Sequence, residues 1–175
     1  AKQCTMGFAD ETAGDKTGGW TDQGPELDLH NLPTGKQVFN GVPFRIINPD
    51  DNNGKSSIVL SGSLATKTEF LPRKKRINLN CKAKKLYFLI SAAWCSPKNK
   101  KPIASLKISE KADGTEESSF FRINLVPGKN ISDWWNAAAN KPPEVELGWL
   151  GLTGRNLKTH EVGSYILEWT NPNPD

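Results

Sequence analysis

The feature that most constrains this chain is a succession of short apolar runs separated by turn-forming residues, with almost no helical periodicity. Within residues 103–110, for example, apolar and polar residues alternate, a period of two that is typical of a half-buried strand. Segments such as 50–54 and 96–99 are rich in Asp, Asn, Gly, Pro or Ser and predict turns. The predicted strands are 42–47, 57–61, 76–80, 85–94, 103–110, 118–126, 145–152 and 162–170. This pattern predicts an all-β fold, an antiparallel β-sandwich of the jelly-roll type.

Three of these segments allow a more specific prediction. Residues 103–110 and 118–126 flank Asp113-Gly114 and therefore predict a hairpin. Residues 86–93 are apolar on both faces, which predicts a central strand. On 162–170 we expect Tyr165, Leu167 and Trp169 to share one face, because they are two residues apart.

The composition sets the class of protein and the domain count. A chain of 175 residues with 36% hydrophobic residues can build one core, and no apolar run is long enough to span a membrane. We expect one domain over residues 1–175, with a loop-rich lead-in at 1–35 and a linker-like end at 171–175. Because no signal peptide begins at Ala1 and residues 171–175 resemble a linker, we expect a module excised from a longer protein.

The three cysteines, Cys4, Cys81 and Cys95, form no Cys-x-x-Cys pair, which makes a zinc site an unfavourable interpretation. Their pairing stays open between three free thiols and one disulfide that uses Cys4. No Gly-x-Ser-x-Gly or His-Glu-x-x-His motif is present, and the chain has only two histidines. The sequence therefore predicts a binding module rather than an enzyme.

The six tryptophans are the first candidates for a binding surface. A sugar ring has an apolar face that packs on an exposed indole, while nearby polar groups bind its hydroxyls. Large aromatic side chains are also common in cores, and we expect this for Trp20 and Trp169. The predicted ligand-binding residues are Trp94, Asp133, Trp134, Trp135, Asn136, Trp149 and His160.

Five segments, taken in order, resemble those of a known class of domain. They are GGWTDQG at 18–24, FNGVPFRI at 39–46, LYFL at 86–89, ISDWW at 131–135 and YILEWTNP at 165–172. The set resembles carbohydrate-binding modules of the galactose-binding-like β-sandwich type, which are appended to bacterial polysaccharide-degrading enzymes. The resemblance implies a non-catalytic, secreted or cell-surface module that targets an attached glycoside hydrolase to its substrate. It also implies a polysaccharide partner, a catalytic domain in the same parent chain and one structural calcium ion.

Calcium binds six to eight oxygen atoms, mostly from carboxylates and carbonyls. The lead-in is rich in acidic residues, and further carboxylates follow near the end of the chain. The predicted metal ligands are Asp10, Glu11, Asp15, Asp22 and Glu168.

A second binding hypothesis comes from the charge distribution. Residues 71–101 contain ten Lys or Arg and no Asp or Glu, so the rest of the chain is net acidic. A basic stripe over 73–101 could bind an acidic, uronate polysaccharide, although lysines also protect exposed sheet edges. We expect a neutral plant or algal glycan first and an acidic glycan second. No nucleic acid is expected, because the aromatic pattern of an RNA-binding sheet is missing.

Two further alternatives belong to other functional classes. Glu144 and Glu146 lie two residues apart and could resemble the carboxylate pair of a glycosidase or lyase. Such pairs normally come from different elements that flank a cleft, which makes catalysis the weaker hypothesis. A structural spacer that binds no glycan is the last alternative.

Overall fold

The computed structural model describes residues 1–16, 19–62, 71–79, 81–111, 118–154 and 159–174. Over these ranges the chain is all-β and contains no helix, which confirms the predicted class. The strands are β1 (Gly35–Phe39), β2 (Val42–Ile46), β3 (Lys85–Ile90), β4 (Ala104–Lys111), β5 (Ser118–Leu125), β6 (Glu146–Thr153) and β7 (His160–Thr170). In the same ranges, no helix is long and apolar enough to cross a membrane. All three cysteine thiols are free.

The seven strands form three small antiparallel sheets. β1 pairs with β2, β4 pairs with β5, and the remaining three strands follow the order β3-β7-β6. The predicted hairpin over 103–126 is therefore confirmed as β4–β5, although its turn at Asp113-Gly114 lies outside the described residues. The prediction of a central strand at 86–93 is wrong, because β3 is an edge strand and β7 occupies the middle.

The β1–β2 hairpin contains a strand, β1, that was not predicted from the sequence. Its two-residue turn is Asn40-Gly41, with φ angles of 46° and 77°. An Asn-Gly turn with both φ values positive matches the twist of the flanking strands, which makes it a strong hairpin signal. The polar start of β1, Gly35-Lys36-Gln37, has no apolar alternation that would have marked it as a strand.

Two predicted strands, 57–61 and 76–80, are wrong. Ser57 forms one isolated bridge with Met6, residues 58–61 are irregular, and so are 76–79, while residue 80 lies outside the described residues. Most of their apolar side chains are exposed, at 42% for Leu60 and 56% for Leu79, and only Val59 among them is buried. A strand needs a partner for its backbone N–H and C=O groups, and neither segment has a neighbouring strand in the described structure.

Each face of the β3-β7-β6 sheet packs against one hairpin. On one face Leu89 and Ile166 belong to a cluster with Phe39 and Phe44 of β1–β2. The other face packs on the β4–β5 hairpin, with Phe88, Tyr165 and Leu167 of the sheet against Leu106, Ile123 and Leu125. This explains why β3 is apolar on both faces although it is an edge strand. Tyr165, Leu167 and Trp169 share one face, because they pair with Ile90, Phe88 and Leu86.

Two segments meet beside the start of β7 and frame the candidate site. Residues 91–97 follow β3, and residues 131–140 precede β6. Ala92 forms a parallel bridge with Asp133, and the Trp134 N–H donates to the Ala92 carbonyl at 2.9 Å. Trp135 forms an antiparallel bridge with Val162 of β7. These bridges hold the two segments side by side, next to β7.

Candidate functional site

A groove opens between these two segments and has a volume of about 410 Å³. We call it the tryptophan groove and define it by the residues that line it: Trp94, Cys95, Ser96, Pro97, Ser132, Asp133, Trp135 and Asn140. Trp94 is 47% exposed and Trp135 is half-buried. Its volume lies within the roughly 300–1,000 Å³ of small-molecule sites, so one or two sugar rings would fit.

Asp133 holds the two sides of the groove together. One of its carboxylate oxygens accepts the Cys95 N–H at 2.8 Å, and the other accepts the Trp135 N–H at 3.0 Å. Burial raises the pKa of Asp133 above its ordinary value, against the opposing effect of backbone N–H groups of Cys95, Trp135 and Trp94. The charge of this carboxylate is therefore largely committed to the protein's own backbone.

Trp94 adopts a backbone conformation that is costly for a residue with a side chain. Its φ is 55°, in the left-handed region, where a bulky residue costs about 1 to 2 kcal/mol. Cys95 directly follows Trp94, and its N–H donates a hydrogen bond to the Asp133 carboxylate, which holds the chain in this conformation. Strained backbone of this kind clusters at functional sites, and here it accompanies an exposed indole at the groove.

Behind the groove lie two buried hydroxyl groups. The Tyr165 hydroxyl lies 2.7 Å from the Asp133 carbonyl oxygen, to which it donates, and burial raises the pKa of Tyr165 to about 12. Ser132 lines the groove and is only 1% exposed. Its Oγ atom lies beside the Tyr165 hydroxyl but has no partner at normal hydrogen-bond distance and geometry among the described residues. A buried hydroxyl in this position can still bind a polar group of a ligand.

The other polar residues predicted for the site lie around Trp135. His160 begins β7, and its ring centroid is 4.5 Å from that of Trp135. Asn136 is exposed, has a φ of 50°, and does not line the groove. Asn140 lines the groove and donates from Nδ2 to the Trp135 carbonyl at 3.0 Å. This bond fixes the turn that follows Trp135.

The remaining tryptophans lie in the core. Trp134 and Trp149 are 4% and 8% exposed, so neither has a free ring face for the stacking role we expected of them. Trp134 is surrounded by aromatic rings, with Trp20 at 5.5 Å and Trp135 at 5.6 Å between centroids, both edge-on. Trp169 is buried, as expected, and Trp20 is half-buried against the core.

The groove brings together Trp94, Asp133 and Trp135 of the seven residues predicted from sequence. Five lining residues were missed: Cys95, Ser96, Pro97, Ser132 and Asn140. Their chain positions carried part of the signal, because Cys95-Ser96-Pro97 directly follows Trp94 and Ser132 directly precedes Asp133. The sequence alone could not predict that the two segments lie side by side, because this depends on the bridge between Ala92 and Asp133.

A second candidate site lies in the lead-in, where carboxylate oxygens of Asp10, Asp15 and Asp22 are all within 4.8 Å of one another. We call this group the acidic loop. Asp10 and Asp22 are buried, whereas Asp15 is exposed. Asp10 accepts the Gly24 N–H at 2.7 Å, and Asp22 accepts the Lys16 N–H at 3.2 Å. Three carboxylates this close could hold a metal ion.

The chain folds back on itself to bring these carboxylates together. Gly19, with a φ of 57°, lies against Asp10, and a Cβ atom there would collide with the Asp10 side chain. Asp28 then anchors the loop, because its carboxylate accepts the Asp10 N–H at 2.9 Å and its own N–H donates to Thr153 of β6 at 3.0 Å.

Two of the five predicted metal ligands lie outside this group. Glu11 is a neighbour of Asp10 in the chain but is not part of the three-carboxylate group. Glu168 lies on β7, where it forms an ion pair of 2.6 Å with Lys85. The prediction of Glu168 as a ligand relied on chain composition alone. In the structure its carboxylate pairs with the Lys85 ammonium.

The carboxylates considered for catalysis, Glu144 and Glu146, each face a lysine. Glu144 lies 3.5 Å from the Lys129 ammonium, and Glu146 lies 3.6 Å from that of Lys141.

Comparison of the chain with known protein families, with curated proteins and with solved structures finds no match. Function must therefore be argued from the two sites themselves.

Proposed function

We propose that this domain binds a polysaccharide without catalysis, through the tryptophan groove. The observation that carries the proposal is the pairing of two tryptophans, Trp94 and Trp135, at a groove of sugar size. An exposed indole offers a flat, rigid surface to the C–H face of a sugar ring, at little cost in side-chain entropy. Ser132 and Asn140 supply polar groups within the same groove for sugar hydroxyls.

We expect the affinity of such a site for a polysaccharide to be modest. Sugar hydroxyls exchange bonds to water for bonds to protein, at a net gain of only about 1 kcal/mol each. Stacking on aromatic rings adds a contribution of similar size per ring. We infer that the domain raises the local concentration of substrate for a catalytic domain in the same parent chain, outside the cell, where polysaccharides occur.

The resemblance to galactose-binding-like modules leads us to propose a jelly-roll β-sandwich as the finer architecture. The packing of the antiparallel β4–β5 hairpin on one face of the antiparallel β3-β7-β6 sheet supports this proposal. We propose further that the acidic loop binds one structural calcium ion. Support comes from its three convergent carboxylates, because calcium prefers carboxylate oxygens and tolerates irregular geometry.

Affinity electrophoresis against soluble glucans, xylans, mannans and uronans tests the proposed function. Trp135→Ala and Trp94→Ala should each abolish or strongly reduce the retardation caused by the bound glycan. Phe120→Ala is the matched control, because Phe120 is 61% exposed on β5 and does not line the groove. No retardation by any glycan, or equal loss in the Phe120→Ala variant, would refute the proposed site. Release of reducing ends from these substrates would instead indicate a glycosidase or lyase.

A further inference from the structure

A lysine-rich loop forms one rim of the tryptophan groove. It spans residues 96–101, and we call it the lysine loop. Ser96 and Pro97 line the groove, and the Lys100 ammonium donates to the Pro97 carbonyl at 3.1 Å. One cationic group is therefore fixed at the edge of the groove. Lys98 and Lys101 lie in the same loop and are exposed.

Short-range hydrogen bonds define the conformation of this loop. The Lys98 N–H donates to Ser96 Oγ at 3.3 Å, and the Lys101 N–H donates to Asn99 Oδ1 at 3.0 Å. The Asn99 N–H closes a turn on the Ser96 carbonyl at 3.0 Å. The loop is thus a built turn, in which the positions of the lysine backbones are set before any ligand binds.

The charges of the lysine loop are not neutralised by the part of the protein that the structure describes. No carboxylate within its described ranges pairs with Lys98, Lys100 or Lys101. Two other lysines, Lys129 and Lys141, are by contrast paired with Glu144 and Glu146. The ammonium groups of the lysine loop therefore remain available to a ligand.

Asp133 does not cancel this positive charge for a ligand in the groove. Both of its carboxylate oxygens already accept backbone N–H groups, from Cys95 and Trp135. The buried Ser132 hydroxyl also lines the groove, beside the Tyr165 hydroxyl. The groove therefore combines aromatic faces, a buried hydroxyl and a cationic rim that no described carboxylate neutralises.

We propose that the glycan bound in the tryptophan groove is anionic, with a sugar ring on Trp94 or Trp135 and its carboxylate or sulfate group at the lysine loop. This inference rests on the proposed function and names its substrate class. It joins the two binding hypotheses from sequence, since part of the basic stripe borders the tryptophans. Lys85, another residue of the stripe, pairs with Glu168 on β7 and is not part of the proposed site.

The test compares each acidic polymer with its neutral counterpart by isothermal titration calorimetry. The probes are polyuronates and their carboxyl-reduced forms, and sulfated galactans and their desulfated forms. At least one acidic polymer should bind about tenfold or more tightly than its neutral form, since three charge-assisted contacts each contribute modestly. Its affinity should fall as the salt concentration rises from low to high values.

Two matched variants locate the effect. The K98Q/K100Q/K101Q triple variant should lose the preference for the acidic form and keep weak binding of the neutral form. The K2Q/K36Q/K55Q variant loses the same net charge from exposed positions outside the lysine loop and should keep the preference.

The outcomes separate this inference from the proposed function. Equal binding of acidic and neutral forms, lost in Trp135→Ala, would overturn the anionic ligand and leave glycan binding intact. Binding to acidic glycan and DNA alike, unaffected by Trp135→Ala, would indicate only a general attraction for polyanions and overturn both. No binding to any polymer would also overturn both.

Discussion

The tryptophan groove and the acidic loop use the same chemical device for different ends. In both, aspartate carboxylates accept backbone N–H groups and hold irregular chain in place. In the groove a single carboxylate, Asp133, performs this task between two aromatic walls. In the acidic loop three carboxylates converge within 4.8 Å. The single aspartate of the groove therefore stabilises the backbone, whereas the three aspartates of the acidic loop form a site with excess negative charge.

The largest effect should come from removing the single carboxylate of the groove. Asp133→Ala leaves the N–H groups of Cys95 and Trp135 without an acceptor and should lower the free energy of unfolding by about 3 kcal/mol. Urea denaturation measures this loss. Asp133→Asn keeps one acceptor oxygen and should lose roughly half as much. An alanine variant as stable as the wild type would show that Asp133 does not frame the groove.

Calcium should bind at the acidic loop and stabilise the domain from there. A ligand at one hundred times its Kd stabilises by about 2.7 kcal/mol, which corresponds to a Tm rise of about 5 to 10 °C for a chain of this size. Differential scanning fluorimetry of chelator-treated protein, with and without calcium, measures the shift. Asp15→Asn should remove most of it, whereas Asp51→Asn, at an exposed turn, should retain it. An unchanged Tm in millimolar calcium would contradict a calcium site.

The groove also predicts a dependence of stability on alkaline pH. Burial, with a smaller contribution from Asp133, raises the pKa of Cys95 from 9.0 to about 11. Between these two values the unfolded thiol loses its proton while the folded thiol keeps it. Stability therefore falls as pH rises through this window, by up to about 2 kcal/mol. Burial likewise raises the pKa of Tyr165 from 10.0 to about 12, so its contribution is lost at higher pH.

Unfolding in urea at pH 8 and pH 10.5 tests this dependence. Cys95→Ala should reduce the fall in stability between the two pH values, and Cys81→Ala, which removes an exposed thiol and leaves Cys95 intact, should preserve it. An unchanged fall in the Cys95→Ala variant would assign the dependence to other groups.

The smallest effect should follow the loss of Glu168. Its carboxylate is engaged with Lys85 and accepts from the Thr170 hydroxyl at 3.1 Å, apart from the acidic loop. Exposed ion pairs contribute little to stability, so Glu168→Gln should leave both the Tm and its calcium response unchanged. A smaller Tm shift on addition of calcium would show that Glu168 contributes to the metal site.

The sequence predicted those strands whose alternation coincides with a partner. The hairpin β4–β5 and strand β7 are examples, because each has a partner strand and apolar residues that face a core. Segment 76–80 has the same kind of alternation but remains irregular where it is described, since Ile77 and Leu79 meet no partner strand and are exposed. Periodicity describes which side chains could share a face. It does not say whether another strand satisfies the backbone.

The candidate site was partly predictable for a related reason. The Asp133-Trp134-Trp135 segment predicted an exposed indole, and Trp135 lines the groove while Trp134 is buried. Adjacent residues point to opposite sides, so composition alone could not choose between them. In the lead-in, clustered aspartates predicted a metal site, and three of the five named ligands converge. The fourth and fifth depended on tertiary positions that spacing does not encode.

A row of aromatic rings connects the acidic loop to the tryptophan groove. Trp20 follows Asp15 and precedes Asp22 in the acidic loop, and its ring meets Trp134, which in turn meets Trp135 at the groove. Thermodynamic linkage makes any influence along this row mutual. If an ion in the acidic loop raises the affinity of the groove for a sugar by some factor, the sugar raises the affinity of the loop for the ion by the same factor. A bound polysaccharide would then help to retain the proposed calcium ion.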